Sequence, residues 1–103
     1  MSSTSSCFVW NVRGWNGRAR CNVVREFLVQ QRATVVCLLE TKLSTFCNAM
    51  ANETLGSMFD YDYVPALNVS GGIFLGWHRD LWAVSDVVKG RFSLLAKLAG
   101  IGS

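Results

Sequence analysis

The chain is 103 residues long, half of them apolar and only one a proline, and its 10 lysines and arginines against 7 aspartates and glutamates give a net charge of +3. This composition excludes a disordered tail and leaves room for one domain. A domain of this size buries only about two-thirds of the surface its unfolded chain exposes, so its stability has little reserve.

Residues 1–6 are a serine- and threonine-rich polar tail with no positive charge and no long apolar stretch behind it, which is not a secretory signal. An intracellular location, nuclear or cytoplasmic, is expected. Cys7, Cys21, Cys37 and Cys47 form no C-x-x-C pair and are expected to be reduced. The apolar runs are far shorter than the roughly 20 residues that span a bilayer, so no membrane partner is expected.

Phe8 to Val12 is a β-rich run ending in Arg13-Gly14-Trp15-Asn16-Gly17, a strand followed by a loop. From Ala19 to about Gln31, Val23, Val24, Phe27 and Leu28 recur at helical spacing and predict an amphipathic helix. Thr34 to Leu39 is nearly unbroken apolar sequence, as in a central strand covered on both faces, and it stops at Glu40. Strand, helix and strand in this order predict a βαβ unit with parallel strands. Asn11 and Glu40 then fall at the carboxyl ends of neighbouring strands, the edge where open α/β sheets place ligands.

Ser44 to Leu55 predicts a second helix with Phe46, Ala49 and Met50 as its apolar positions. Tyr61 to Val64 reads as a strand stopped by Pro65, and Ser70-Gly71-Gly72 as a turn before a buried strand from Ile73 to Trp77. Leu81–Val88 and Arg91–Leu98 predict an antiparallel hairpin joined at Lys89-Gly90, with residues 100–103 as a tail.

Asn11 and Glu40 together can offer hard oxygen ligands of the kind magnesium takes, one or two carboxylates with several waters retained. Taken as residues alone they also fit a turn-initiating asparagine and a solvated strand end. Arg13, Arg18, Arg20 and Arg25 cluster in the first quarter and suit either a phosphate backbone or the solvated face of a helix.

The wording around these residues is more specific. Trp10-Asn11-Val12-Arg13-Gly14 with Asn16 resembles the W-N-V-R-G-x-N opening of the endonuclease domain of plant LINE-type (non-LTR) retrotransposons, within the endonuclease/exonuclease/phosphatase superfamily. Val36 to Leu43 is similar to that family's V-C-L-Q-E-T-K-L, with Leu39 in place of the glutamine, and Ser70-Gly71-Gly72-Ile73 with Trp77 resembles its S-G-G-I-x-x-x-W strand. The resemblance runs from about Cys7 to Leu98. It implies an α/β (α+β) fold, a four-layer sandwich of two β-sheets flanked by helices, with residues 7–99 as an incomplete domain truncated after its first half.

The same resemblance implies a magnesium- or manganese-dependent hydrolase of DNA phosphodiester bonds. By that resemblance Asn11 and Glu40 would be its catalytic and metal-site residues, Glu40 as direct ligand and Asn11 helping to hold metal and phosphate, while the charge cluster makes Arg13, Arg18 and Arg20 the expected nucleic-acid contacts. The family's D-x-N pair and S-D-H segment belong to the second half of the domain and have no counterpart here. His78, the only histidine, is expected in a surface loop. The resulting expectation is a nuclease-family chain inactive alone, with an inert retrotransposon-derived remnant and a weak nucleic-acid-binding module as alternatives, and with self-association through exposed sheet faces.

Overall fold

The computed structural model describes residues 6–15, 17–46, 48–67 and 70–101, apart from the side chains of residues 6 and 17–20. In chain order the elements are β1 (Ser6–Asn11), α1 (Gly17–Gln31), β2 (Ala33–Leu39), α2 (Asn48–Leu55), β3 (Phe59–Val64), β4 (Ile73–His78), β5 (Trp82–Lys89) and β6 (Leu94–Gly100). One sheet has the order β1-β2-β4-β3 and the second is the β5–β6 pair. This is the mixed α+β, layered architecture that the sequence predicts.

The parallel pairing of β1 with β2 sets Asn11 opposite Leu39. β4 enters antiparallel between β2 and β3, with Leu38 opposite Phe74 and Tyr63 opposite Phe74 on its other side. Both helices cover the face that carries Val36, Leu38 and Phe74, all fully buried. On this face Trp15 makes an edge contact with Phe74 at 4.8 Å, and Phe46 lies 5.3 Å from Trp15. Such aromatic pairs add about 0.5–1.5 kcal/mol each beyond their area burial.

The opposite face is only partly covered, contrary to the reading of β2 as buried on both sides. Cys37 and Leu39 are half-buried, and Val9, the partner of Cys37 on β1, is 59% exposed. The β5–β6 hairpin accounts for the part that is covered. Trp82 Nε1 donates to Thr34 Oγ1 at 3.1 Å, and Lys89 pairs with Asp62 of β3.

In α1 the buried stripe is Cys21, Val24 and Leu28, whereas Val23 and Phe27 sit on its flank. Phe27 still packs its ring against Phe8 and Trp10 of β1. The helix ends at Arg32, at φ 49°. α2 begins later than expected, at Asn48, so Phe46 precedes it and reaches the core from the incoming loop. Its buried face is Ala51 and Thr54, the threonine hydroxyl donating to the Met50 carbonyl at 3.1 Å. Gly56, at φ 90°, closes the helix by donating its N–H to the Asn52 carbonyl. Arg25, counted with the arginine cluster, donates to the Glu53 carbonyl at 3.4 Å and so ties α1 to α2.

β3 starts at Phe59, two residues before the expected Tyr61, and β1 and β6 include Ser6 and Gly100, each one residue into an expected tail. The hairpin connection is 90–93, closed by the Gly90 N–H on the Ser93 carbonyl at 2.8 Å. Arg91 and Phe92, expected in the second strand, lie in this connection instead. Among the described residues no helix is long and apolar enough to cross a membrane.

Candidate metal and phosphate site

Asn11 ends β1 and Glu40 follows β2 directly, so the parallel register brings the two side chains together. The Asn11 Nδ2 donates to Glu40 Oε2, and the Asn11 Oδ1 accepts the Arg13 N–H at 3.1 Å. Of the roles that the sequence allows Asn11, the turn-initiating one is the one seen, and it engages the amide oxygen. Its oxygen makes the turn and its nitrogen orients the carboxylate.

Around this pair three chain segments are laced by backbone hydrogen bonds. Val12, Gly14 and Trp15 donate to the carbonyls of Leu39, Glu40 and Thr41 at 3.0, 2.8 and 2.8 Å. On the other side Thr41 and Lys42 donate to Gly72 and Gly71 at 3.1 and 2.9 Å. These bonds hold Arg13, Glu40 and Lys42 in the left-handed region, at φ 51°, 52° and 59°. A non-glycine residue held there costs on the order of 1–3 kcal/mol and persists only where its surroundings over-determine it. Trp15 and Thr41 are fully buried beneath the segments, and the indole Nε1 has no hydrogen-bond partner among the described residues.

The two glycines of the Ser70-Gly71-Gly72 turn have different reasons to be glycine. At Gly72, φ 97°, an added Cβ would lie 2.3 Å from Thr41 Oγ1 and 3.1 Å from the Lys42 nitrogen. At Gly71, φ 80°, it would meet the ring of Phe92 at 3.1 Å. The sequence signal S-G-G was legible as a turn. The close approach to Thr41 was not.

Arg13 is exposed, two residues after Asn11. Arg18 and Arg20 lie on the first turn of α1, and their side chains are outside the described residues. Lys42, absent from the sequence-based site, is exposed next to Glu40, with its Cδ 3.9 Å from where a Gly14 Cβ would be. His78 does not join the site. It ends β4 rather than lying in a loop, accepts the Asp80 N–H on Nδ1 at 3.3 Å and packs edge-on to Phe59. Five residue steps along the strand separate it from Ile73 at the site end of β4, about 17 Å at the usual rise.

Among the described residues no group of three or more His, Cys, Asp or Glu side chains could hold a metal ion. One exposed carboxylate beside an amide is nonetheless a donor set that suits hydrated magnesium or manganese, which keep most of their waters. A larger cleft of about 710 Å³ runs along β3, lined by Asp60, Asp62 and Arg79 among others, and none of its lining residues belongs to the Asn11–Glu40 site.

Solved structures share this fold. An AP endonuclease from Archaeoglobus fulgidus superposes with a TM-score of 0.65 at 18% identity, over 84% of this chain and 31% of its own. The chain is similar in fold to AP endonucleases. The AP endonuclease LMAP from Leishmania major matches 71% of the chain at 28% identity with a TM-score of 0.54. The 3′ phosphatase NExo from Neisseria, solved with a product DNA hairpin, matches 82% at 20% identity with a TM-score of 0.62. The chain spans less than a third of each of these structures, 31%, 23% and 30% of their lengths. No protein-family model matches the chain, and no curated protein sequence matches it.

Proposed function

We propose that Asn11 and Glu40 are the metal- and phosphate-holding half of a DNA phosphodiesterase site, in a chain of the endonuclease/exonuclease/phosphatase superfamily nearest to the plant LINE-type endonucleases. The observation that carries this reading is the Asn11–Glu40 hydrogen bond at the carboxyl ends of two parallel strands, held by strained backbone. The wording of the three sequence blocks and the DNA-processing neighbours support it.

Glu40 would hold magnesium or manganese through its exposed carboxylate, and Asn11 would keep that carboxylate aimed. When bound there, such a cation supplies positive charge that offsets the charge building on a phosphate oxygen during in-line attack by water. Arg13, at the turn beside Asn11, would add a donor for the same phosphate, and Arg18 and Arg20, on the first turn of α1, would be the further DNA contacts.

Among the described residues no second carboxylate or imidazole joins Asn11 and Glu40 to take the proton of the attacking water. Glu40 is committed to the cation, and His78 is at the far end of β4 with its Nδ1 already accepting a backbone N–H. Lacking a single general acid or base costs about a hundredfold to ten-thousandfold in rate. The 103-residue chain is therefore expected to show no nuclease activity alone. Nicking of supercoiled plasmid in magnesium, against a chelator control and Glu40→Ala, tests this. Nicking by the wild-type chain that vanishes with Glu40→Ala would overturn the inactivity while supporting the site. Nicking untouched by Glu40→Ala would overturn the site.

A binding role is the second reading, favoured by the exposed Arg13 and by Arg18 and Arg20 on one helix turn. Duplex affinity should then fall steeply with salt, and Arg18→Glu with Arg20→Glu should flatten that slope. A slope unchanged by both substitutions would exclude it.

A further inference from the structure

Phe92 is 59% exposed although it is large, apolar and held within the 90–93 connection of the second sheet. Its ring crosses Gly71, where even a methyl group would come within 3.1 Å of Cδ1 and 3.3 Å of Cε1. The ring forms one wall of a cleft of about 220 Å³ whose other lining residues are Leu39, Glu40, Gly71, Gly72 and Ile73. The cleft thus brings together Glu40, assigned above to the cation and phosphate, the exposed aromatic Phe92, two glycines and the apolar Leu39 and Ile73.

We propose that this cleft is a nucleoside subsite in which Phe92 stacks on the base or sugar of the nucleotide whose phosphate is held at Asn11 and Glu40. The proposal rests on the phosphodiesterase reading and deepens it. A phosphate held through the cation at Glu40 and a flat, apolar group against Phe92 are the two ends of a nucleotide, and one cleft offers a place for both. The cleft is smaller than the roughly 300–1,000 Å³ of sites that enclose a drug-sized ligand, so it suits one nucleoside unit and not a longer segment. A base can reach it only when unstacked, so the strand it fits is single-stranded or frayed DNA. Gly71 is part of the device, because any side chain there would press on the ring and displace it.

The test is binding of a fluorescein-labelled hexathymidylate to the full chain in magnesium, followed by anisotropy, with inorganic phosphate as competitor. Variants are Phe92→Ala, Phe92→Leu, Phe92→Trp and Glu40→Ala. Stacking of one base gives an expected loss of roughly 5- to 150-fold in affinity for Phe92→Ala. Phe92→Leu, which keeps apolar bulk without a π-face, should lose nearly as much, and Phe92→Trp should bind at least as well as the wild type. The inhibition constant of phosphate should be the same in all three Phe92 variants.

Wild-type affinity in Phe92→Leu would overturn the proposal by showing that bulk alone is required. So would a parallel loss of phosphate competition, which is the mark of a merely structural role. If the Phe92 variants bind normally while Glu40→Ala or chelator abolishes binding, the subsite is wrong and the phosphodiesterase reading stands. If neither Phe92, Glu40 nor magnesium affects binding, both are wrong. Phe92→Trp and Phe92→Leu keep the proposal testable should Phe92→Ala fail to fold.

Discussion

Replacing Gly72 with alanine is the sharpest test of how the site is held. The residue is at φ 97°, where an L-residue costs about 1–2 kcal/mol. Its new methyl would also lie 2.3 Å from Thr41 Oγ1, in a fully buried side chain whose N–H bonds Gly72 and whose carbonyl bonds Trp15. Turning the Thr41 side chain away would break the bond its Oγ1 accepts from the Leu43 N–H at 3.4 Å and would leave the 3.1 Å approach to the Lys42 nitrogen, so an overpacking cost of about 1–3 kcal/mol is added. The sum is roughly 2–5 kcal/mol, a large share of the 5–15 kcal/mol that holds a typical domain together.

The assay is urea unfolding followed by tryptophan fluorescence. A chain this small has a denaturant slope near the lower end of 1–3 kcal/mol per molar, so the midpoint should fall by roughly 1.5–5 M, or the chain should be unfolded without urea. Gly56→Ala and Gly71→Ala are internal standards. Gly56 is at φ 90° with nothing within 4 Å of an added Cβ, and at Gly71 only the exposed ring of Phe92 must swing aside. Both should lose about 1–2 kcal/mol, the conformational part alone. Thr41→Ala combined with Gly72→Ala should recover about 0.5–3 kcal/mol as coupling. A Gly72→Ala midpoint equal to that of Gly56→Ala, or no recovery in the double variant, would refute the steric argument.

Two further outcomes are expected. Trp15→Ala should cost about 3–5 kcal/mol as a buried aromatic deletion. Trp15→Phe should cost much less in the same urea titration, because it also removes a buried donor that has no partner among the described residues, itself a penalty of about 1–3 kcal/mol. Equal losses would mean that the indole N–H is satisfied. Burial pushes the Cys37 thiol above its ordinary pKa, with Cys7 adding to the effect. A raised thiol pKa means the folded chain holds the proton more tightly, so stability from this group is complete below the unfolded thiol pKa and is lost as pH rises through the folded one. Maleimide labelling of Cys37 should accordingly be slower in the folded chain than in urea and keep rising to higher pH. A folded-state curve at or below the unfolded one contradicts this.

Local signals carried much of the fold. The β1-α1-β2 crossover follows from one helical and two apolar runs, and it alone brings Asn11 to Glu40. The insertion of β4 between β2 and β3 is a long-range pairing that no periodicity in either strand encodes. Phe46 looked like a helix position because its spacing to Ala49 and Met50 fits a helical face, yet it enters the core from outside α2. The left-handed backbone at Glu40 and Lys42 was equally invisible, since neither residue type favours it and only the bonds to 12–15 and 71–72 impose it. Phe92 was placed in a strand because an apolar residue near alternating ones reads that way. The turn closed by Gly90 and Ser93 puts it over Gly71 instead.

The costly part of this site is its positioning, and the bonds that secure it all come from three short segments, 12–15, 39–42 and 71–72. Damage to the lacing and damage to the cleft wall should therefore separate in experiment. Gly72→Ala should lower stability and, by loosening the frame of Glu40, also weaken magnesium-dependent oligonucleotide binding. Phe92→Leu should weaken that binding at nearly unchanged stability, because the ring is exposed and Leu retains most of its contact. If the two variants instead trace one line, binding falling only as far as stability falls, then the cleft has no energy of its own and Phe92 is simply uncovered core.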